Sequence, residues 1–216
     1  AVVRKYGVQV PGSILQRLED GARGLIPETL KPGDSIFERV ENFIIANNRL
    51  LIDAAAVKAR EIGWNTLILS AEIQGEAREA GSMFASIAGK MARRGNPVKP
   101  PACVLGGGET TVTVRGDGMG GRNQEMALAW AIAMASRPVG APSCFASIAS
   151  DGTDGPTTAA GALVDPATCS RAAELGLDPG KFLSANDSFH FLKATGDLVV
   201  TGPTQTNLMD LQILLV

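Results

Sequence analysis

The spacing of apolar positions divides this chain into a short lead-in and a long alternating region. In residues 1–36 only one stretch has helical spacing, with Ile14, Leu15, Leu18 and Ala22 on one stripe of 13–23. Val10-Pro11-Gly12 breaks the chain before it, and Pro27, Pro32 and Gly33 break it again after it. The segment reads as a helix and linker running from or toward a preceding N-terminal lobe. Regular alternation follows. RVENFIIA (39–46) has the composition of a strand that closes on Asn47-Asn48. Residues 50–62, rich in alanine and apolar at i, i+3 and i+4, predict a helix that Gly63 stops. A short apolar run at 66–69 predicts a buried strand. Residues 76–94 predict a long amphipathic helix, basic at Arg93-Arg94, where the helix dipole is negative.

Beyond residue 100 the pattern predicts a strand at 102–105 and an alternating hairpin arm at 111–114, hence a β-hairpin near residues 102–115. A glycine loop at 116–121 leads into a helix over 124–136, followed by a strand at 144–149. Helical segments are expected at 167–176, 179–183 and 188–194, and strands at 198–201 and 211–216. Strands separated by helices imply βαβ units. The expected fold is therefore α/β: a mostly parallel sheet with helices on both faces, three-layered and Rossmann-like. The domain reading is 1–36 as lead-in and 37–216 as one α/β domain.

Composition narrows the function. Charged residues make up 19% and glycines number 25, which suits buried strands joined by tight turns. The net charge of -2 is uneven, since residues 101–216 carry net -5 and the first hundred +3. An acidic half with ten aromatic rings in the whole chain argues against nucleic acid as a partner. No apolar run approaches the ~20 residues that span a bilayer, which argues against a membrane. Cys103, Cys144 and Cys169 are odd in number and widely spaced, so reduced thiols and an intracellular, cytoplasmic setting are expected, with a mitochondrial one also open.

The candidate chemistry sits on loops that follow strand candidates, where ligands bind in open α/β sheets. Gly106, Gly107 and Gly108, followed by Glu109 and Thr110, allow close backbone approach and could aim N–H groups at an anion. Gly116 to Gly121 opens a helix start at which Gly120, Gly121, Arg122 and Asn123 combine N–H groups, a positive dipole end and a planar guanidinium suited to phosphate or carboxylate. No Gly-Lys-Ser/Thr follows, so this is not a P-loop, and no βαβ unit precedes it, so it is not a dinucleotide fingerprint. Asp151 and Asp154, three apart among hydroxyls, can hold Mg²⁺ or orient a hydroxyl. Asp154 is the better candidate for capping a Pro-led helix, and Asp151 for catalysis and as metal ligand. Asn186 and Asp187, and later Thr204 and Asn207, are polar groups placed to line the same cleft. His190, the one histidine, reads as packed or capping.

Four ordered segments carry a resemblance: GGGETTVTVRGDGMGGRNQEMAL (106–128), ASDGTDGPTTAAGALVD (149–165), ANDSFHFL (185–192) and TGPTQTNLMDLQILLV (201–216). Together they resemble the MOFRL domain of the class II glycerate kinases, and 41–81 resembles the stretch that precedes it, so the likeness covers about 36–216. It implies an enzyme that uses ATP and a divalent cation, Mg²⁺, to phosphorylate D-glycerate in a cleft between two lobes. Matched position by position, it makes Arg122 the active-site arginine, places the SDGTDG motif on Ser150 to Gly155, and matches Asn207 and Asp210 in the closing motif. The family's N-terminal lobe, with an essential lysine, has no counterpart here. The resemblance therefore implies the C-terminal lobe of a glycerate kinase, inactive by itself, with that missing lobe as partner and homodimer formation open. The alternatives are a hydroxypyruvate reductase-like oxidoreductase, which would need a nicotinamide site, and a non-catalytic ligand-binding lobe.

Overall fold

The structure, a computed structural model, describes residues 2–137 and 142–216. The chain divides into two compact units, Ala1–Ile44 and Ile45–Val216. The first holds α1 (Val2–Lys5), α2 (Gly12–Ala22) and a 3₁₀ turn at Ser35–Arg39. The strand expected at 39–46 is absent. After the 3₁₀ turn the backbone runs on without a ladder partner among the described residues, with Phe43 and Ile44 exposed. Apolar alternation supplies a strand with a face, but a strand also needs a neighbour to take its N–H and C=O groups.

The second unit carries α3 (Asn48–Glu61), β1 (Asn65–Ile73), α4 (Ala77–Arg94), β2 (Ala102–Gly108), α5 (Arg122–Ala135) and β3 (Cys144–Ala149). It continues with β4 (Gly161–Val164), α6 (Thr168–Glu174), α7 (Pro179–Ser184), α8 (Ser188–Thr195), β5 (Leu198–Val199) and β6 (Asp210–Leu215). Helix boundaries follow local chemistry. The Asn47 side chain accepts from the Leu50 N–H to start α3, and Gly95, at φ 60°, closes α4 in the left-handed region.

The six strands form one sheet in the order β1-β2-β6-β3-β4-β5. Among the described residues β1 and β2 are the one parallel strand pair, whereas β2–β6, β6–β3, β3–β4 and β4–β5 are antiparallel. The sheet is therefore mixed, not mostly parallel. The strands joined through α4 and α5 do run the same way, but β6 returns from the end of the chain and inserts between β2 and β3. The hairpin expected at 102–115 is absent too. β2 pairs with β1 and β6, while 111–113 is tied to the start of α4 by one parallel bridge, Glu76 with Thr111. The Glu76 carboxylate also accepts from the Thr113 N–H at 3.0 Å and hydroxyl at 2.8 Å. These bonds, led by the Thr113 hydroxyl, hold it below the usual carboxylate range.

Helices cover both faces. α3 sets Ile52, Ala56 and Ala59 against Cys103 and Leu105 with Ile213 and Leu215. On the other face α4 and α5 pack Phe84, Ala88, Met126 and Trp130 on Val104, Phe145 and Leu214. Successive strand residues thus point to opposite cores. Phe84, Phe145 and Trp130 form its aromatic centre, with ring centroids 5.0 and 5.7 Å apart. The three cysteines are free, and burial pushes the Cys103 thiol up to about 11. Among the described residues no helix is long and apolar enough to cross a membrane.

Gly106, Gly107 and Gly108 are not an open loop. They are the buried end of β2, and a Cβ on Gly107 would lie 2.2 Å from Asn48 Oδ1 and 2.6 Å from Ile52 Cδ1. Here glycine admits α3 to the sheet, not a ligand to the backbone. Gly107→Ala is expected to cost about 1–3 kcal/mol through this overpacking, read as a lower urea midpoint with an unchanged slope.

Candidate functional site

Strand register assembles the site. Ile73, Gly108, Asp210 and Ala149 are aligned partners across β1, β2, β6 and β3, so these strands end in one row. The connections beyond that row carry Glu109, Thr110, Asp151 and Asn207, and α5 starts there with Arg122. Asp210, fully buried at the start of β6, takes the Arg122 guanidinium bidentately, Nε to Oδ2 at 2.7 Å and Nη2 to Oδ1 at 2.9 Å. Glu109 approaches the same Nη2 at 3.2 Å from the exposed side. Two edges of the guanidinium are thereby fixed, and Nη1 donates to no protein acceptor among the described residues. Asp210 keeps a raised pKa because burial outweighs the pull of Arg122, and the same pairing raises that of Arg122. Sequence spacing put forward Arg122 but not Asp210 as a site residue. The signal was there: a carboxylate opening the apolar run LQILLV must be buried with its strand, and a buried carboxylate requires a cation or several N–H donors.

Arg122 lines a cleft of about 430 Å³ with Thr110, Gly120, Gly121, Asn186 and Ser188. Thr110 is buried, and its hydroxyl has no partner among the described residues.

The first part of the glycine loop is closed to an anion. Asn186 Oδ1 accepts from the N–H groups of Arg115 and Gly116 at 2.7 and 3.1 Å, Gly118 N–H donates to the Ala185 carbonyl, and Met119 N–H donates to Asp187 Oδ1. Asn186 Nδ2 in turn donates at 2.9 Å to Glu125, which also holds Arg78. Four N–H groups of Arg115 to Met119 are thus taken by the 185–187 turn, with Asn186 and Asp187 as its template, whereas those of Gly120 and Gly121, which line the cleft, have no protein acceptor among the described residues. His190, expected to be packed or capping, is half exposed, and its Nδ1 lies 2.6 Å from Asp187, the residue at the N-cap of α8.

The start of α5 is likewise filled. Asp154 caps α5 and not a Pro-led helix, since no helix follows Pro156. Its Oδ1 accepts from the Asn123 N–H at 3.1 Å and Oδ2 from the Gln124 N–H at 2.9 Å, with both side-chain amides joining. Burial raises its pKa against these bonds. Gly121 lets the carboxylate in, because a Cβ there would stand 2.3 Å from Asp154 Cγ. Asn123 is fully buried and also accepts from Ser147 Oγ at 2.6 Å, which places it in the core.

Asp151 follows β3. Its Oδ1 accepts from the Thr153 N–H at 2.9 Å in a local turn, which leaves Oδ2 without a protein partner among the described residues. Thr204 secures the same end, donating its hydroxyl to the Ser150 carbonyl and its N–H to that of Asp151. Asn207 accepts from the Met209 N–H in its own turn. No three His, Cys, Asp or Glu among the described residues cluster as a metal site. Asp154 and Asp210 are committed to other groups, so the residues present do not fit a metal ion held by this chain alone.

Residues 102–210 match the MOFRL family. The chain is 40% identical over 210 residues to the glycerate 2-kinase of Pyrococcus horikoshii, covering 96% of this chain and 46% of that protein. It is 42% identical over 212 residues to the D-glycerate 2-kinase of Thermotoga maritima, covering 98% and 48%. The crystal structure of glycerate kinase from Thermotoga maritima superposes with a TM-score of 0.80 at 39% identity, over 100% of this chain and 49% of that one. The chain thus spans about half the length of the curated relatives it matches.

Proposed function

This chain belongs to the MOFRL family, and on that premise we propose that it is one half of a glycerate kinase, transferring the γ-phosphate of ATP to a hydroxyl of D-glycerate. The observation that carries the reading is the Arg122–Asp210 pair at the row of strand ends. Phosphoryl transfer relies on positioned charge more than on covalent help from the protein. A guanidinium clamped on two edges presents Nη1 in one direction, toward the substrate carboxylate or the transferring phosphoryl group. Asp151 Oδ2 is the hydroxyl-orienting group. As the glycerate oxygen bonds to the γ-phosphorus and the bond to the ADP oxygen breaks, it accepts the hydroxyl proton. Thr110, Glu109 and Asn207 supply further polar contacts. Mg²⁺ bound to the nucleotide would neutralise charge on its phosphates.

The same geometry supports inactivity of the isolated half. Asp210 and Glu109 more than balance Arg122, so further cations must come from outside this chain. ADP release with ATP, Mg²⁺ and D-glycerate tests the reading. It is expected only when the chain is combined with the half that its relatives possess in addition. NADH oxidation with hydroxypyruvate, and no ADP, would replace it with a reductase.

A further inference from the structure

The entry to β6 is bent before it is straight. Met209 lies in the left-handed region at φ 66° without being glycine, a conformation that persists only where its surroundings hold it. Two elements do so. From the end of β3, Ser150 Oγ accepts from the Leu208 N–H at 2.7 Å, and the Ser150 N–H donates to the Met209 carbonyl at 3.0 Å. From α3, the Asn48 side chain donates through Nδ2 to the carbonyls of Leu208 at 2.7 Å and Asp210 at 2.8 Å, partners 160 and 162 positions along the chain.

Asn48 is buried, and its Oδ1 has no partner among the described residues. Burying an unpaired acceptor is unfavourable, so what retains an amide here is its pair of donations. The sheet leaves room for it: a Cβ on Gly107 would lie 2.2 Å from Asn48 Oδ1 and 2.9 Å from the Asp210 carbonyl oxygen. The two ends of Asp210 are held from opposite sides. Its side chain shares the sheet face of Leu214, which α4 and α5 cover, whereas α3 covers the face of Ile213 and Leu215.

We propose that Asn48 is a positioning residue for phosphoryl transfer. By fixing the Asp210 backbone from α3, it sets the direction of the Arg122 guanidinium on the far side of the sheet. The inference rests on the glycerate kinase reading above. The path is short: the Asn48 amide to the Asp210 carbonyl, then the Asp210 carboxylate to Arg122 Nε at 2.7 Å and Nη2 at 2.9 Å. Loss of Asn48 therefore displaces Arg122 without removing it.

One measurement uses this chain alone. The Arg122 Nε–H, identified in ¹⁵N NMR by its loss in Arg122→Ala, should exchange with water about tenfold faster in Asn48→Ala. The second uses the chain assembled with its complementary half. There Asn48→Ala should lower kcat about 10- to 10²-fold, the scale of a misplacement of about 1 Å. In an Arg122→Ala background it should cost no further kcat, a result that general destabilisation does not produce. Multiplicative losses in the double variant, an unchanged kcat, or unchanged Nε–H exchange would each overturn the proposal. If Asn48→Ala does not fold, Asn48→Ser, which keeps a hydroxyl donor, is held to the same criteria. An assembled wild-type protein without phosphotransfer would sink the kinase reading. Faster Nε–H exchange would then still uphold the coupling of Asn48 to Arg122, and unchanged exchange would sink that too.

Discussion

Asp154→Ala lowers the stability of the α/β unit by about 3–4 kcal/mol, a drop of about 10 °C in Tm for a domain of this size. Asp154 is fully buried and closes the first turn of α5 from a loop 31 residues away. Its removal strips a charged acceptor from the Asn123 and Gln124 N–H groups and from the Asn123 amide. Gln124 Nε2 keeps Thr157 Oγ1 at 2.9 Å and loses less. Each bond to a charged group contributes about 1.5–3 kcal/mol, so a plain sum would run higher. The carboxylate's own desolvation, visible in its raised pKa, offsets part of that gain and sets the smaller figure. Asp154→Asn keeps one acceptor oxygen and should fall about midway. Urea melts of the three proteins decide it, and a change below about 0.5 kcal/mol would mean that α5 does not need this cap.

Arg122→Ala has the larger consequence for activity. In the assembled enzyme it should lower kcat by about 10²–10³-fold, as loss of one preorganised charge-stabilising donor does. Arg122→Lys should recover little, because an ammonium cannot span both Asp210 oxygens and still present a free edge. The alanine variant also leaves Asp210 buried without its cation, which costs about 3–5 kcal/mol in fully buried pairs. The low end applies here, since the Arg122 side chain is 25% exposed. The loss depends on pH. Asp210 already has a pKa raised above 3.8 in the folded state, and removing the guanidinium raises it further. An acid with a raised folded pKa adds stability at low pH that is lost as pH rises through the interval above 3.8. The deficit of Arg122→Ala should therefore be largest near pH 7 and shrink toward pH 4. A deficit independent of pH would place its origin elsewhere.

What the sequence showed and what it hid follow from the range of the interactions. The helices, and the shared direction of β1, β2 and β3, were legible because apolar periodicity is local. The neighbours were not: β6 lies between β2 and β3 on the strength of ladders with residues more than 60 positions away. The same limit applies at the site. Arg122 and Asp151 stood out because each follows a strand or opens a helix. Asn186 looked like a cleft-lining polar group and Asp154 like the cap of the segment after it, because the donors that occupy them are 70 and 31 residues distant. Glycine content misled for a related reason. Gly107 and Gly121 are small so that Asn48 with Ile52, and Asp154, can approach, and a sequence does not distinguish room for a neighbour from room for a ligand.

The most direct test of the central claim is ³¹P NMR of D-glycerate incubated with ATP, Mg²⁺ and this chain in complex with the complementary half. The account predicts a phosphomonoester resonance growing in step with ADP, absent when either half is omitted and strongly reduced with Arg122→Ala. A folded complex that yields no phosphomonoester, or one whose turnover is indifferent to Arg122, would contradict it.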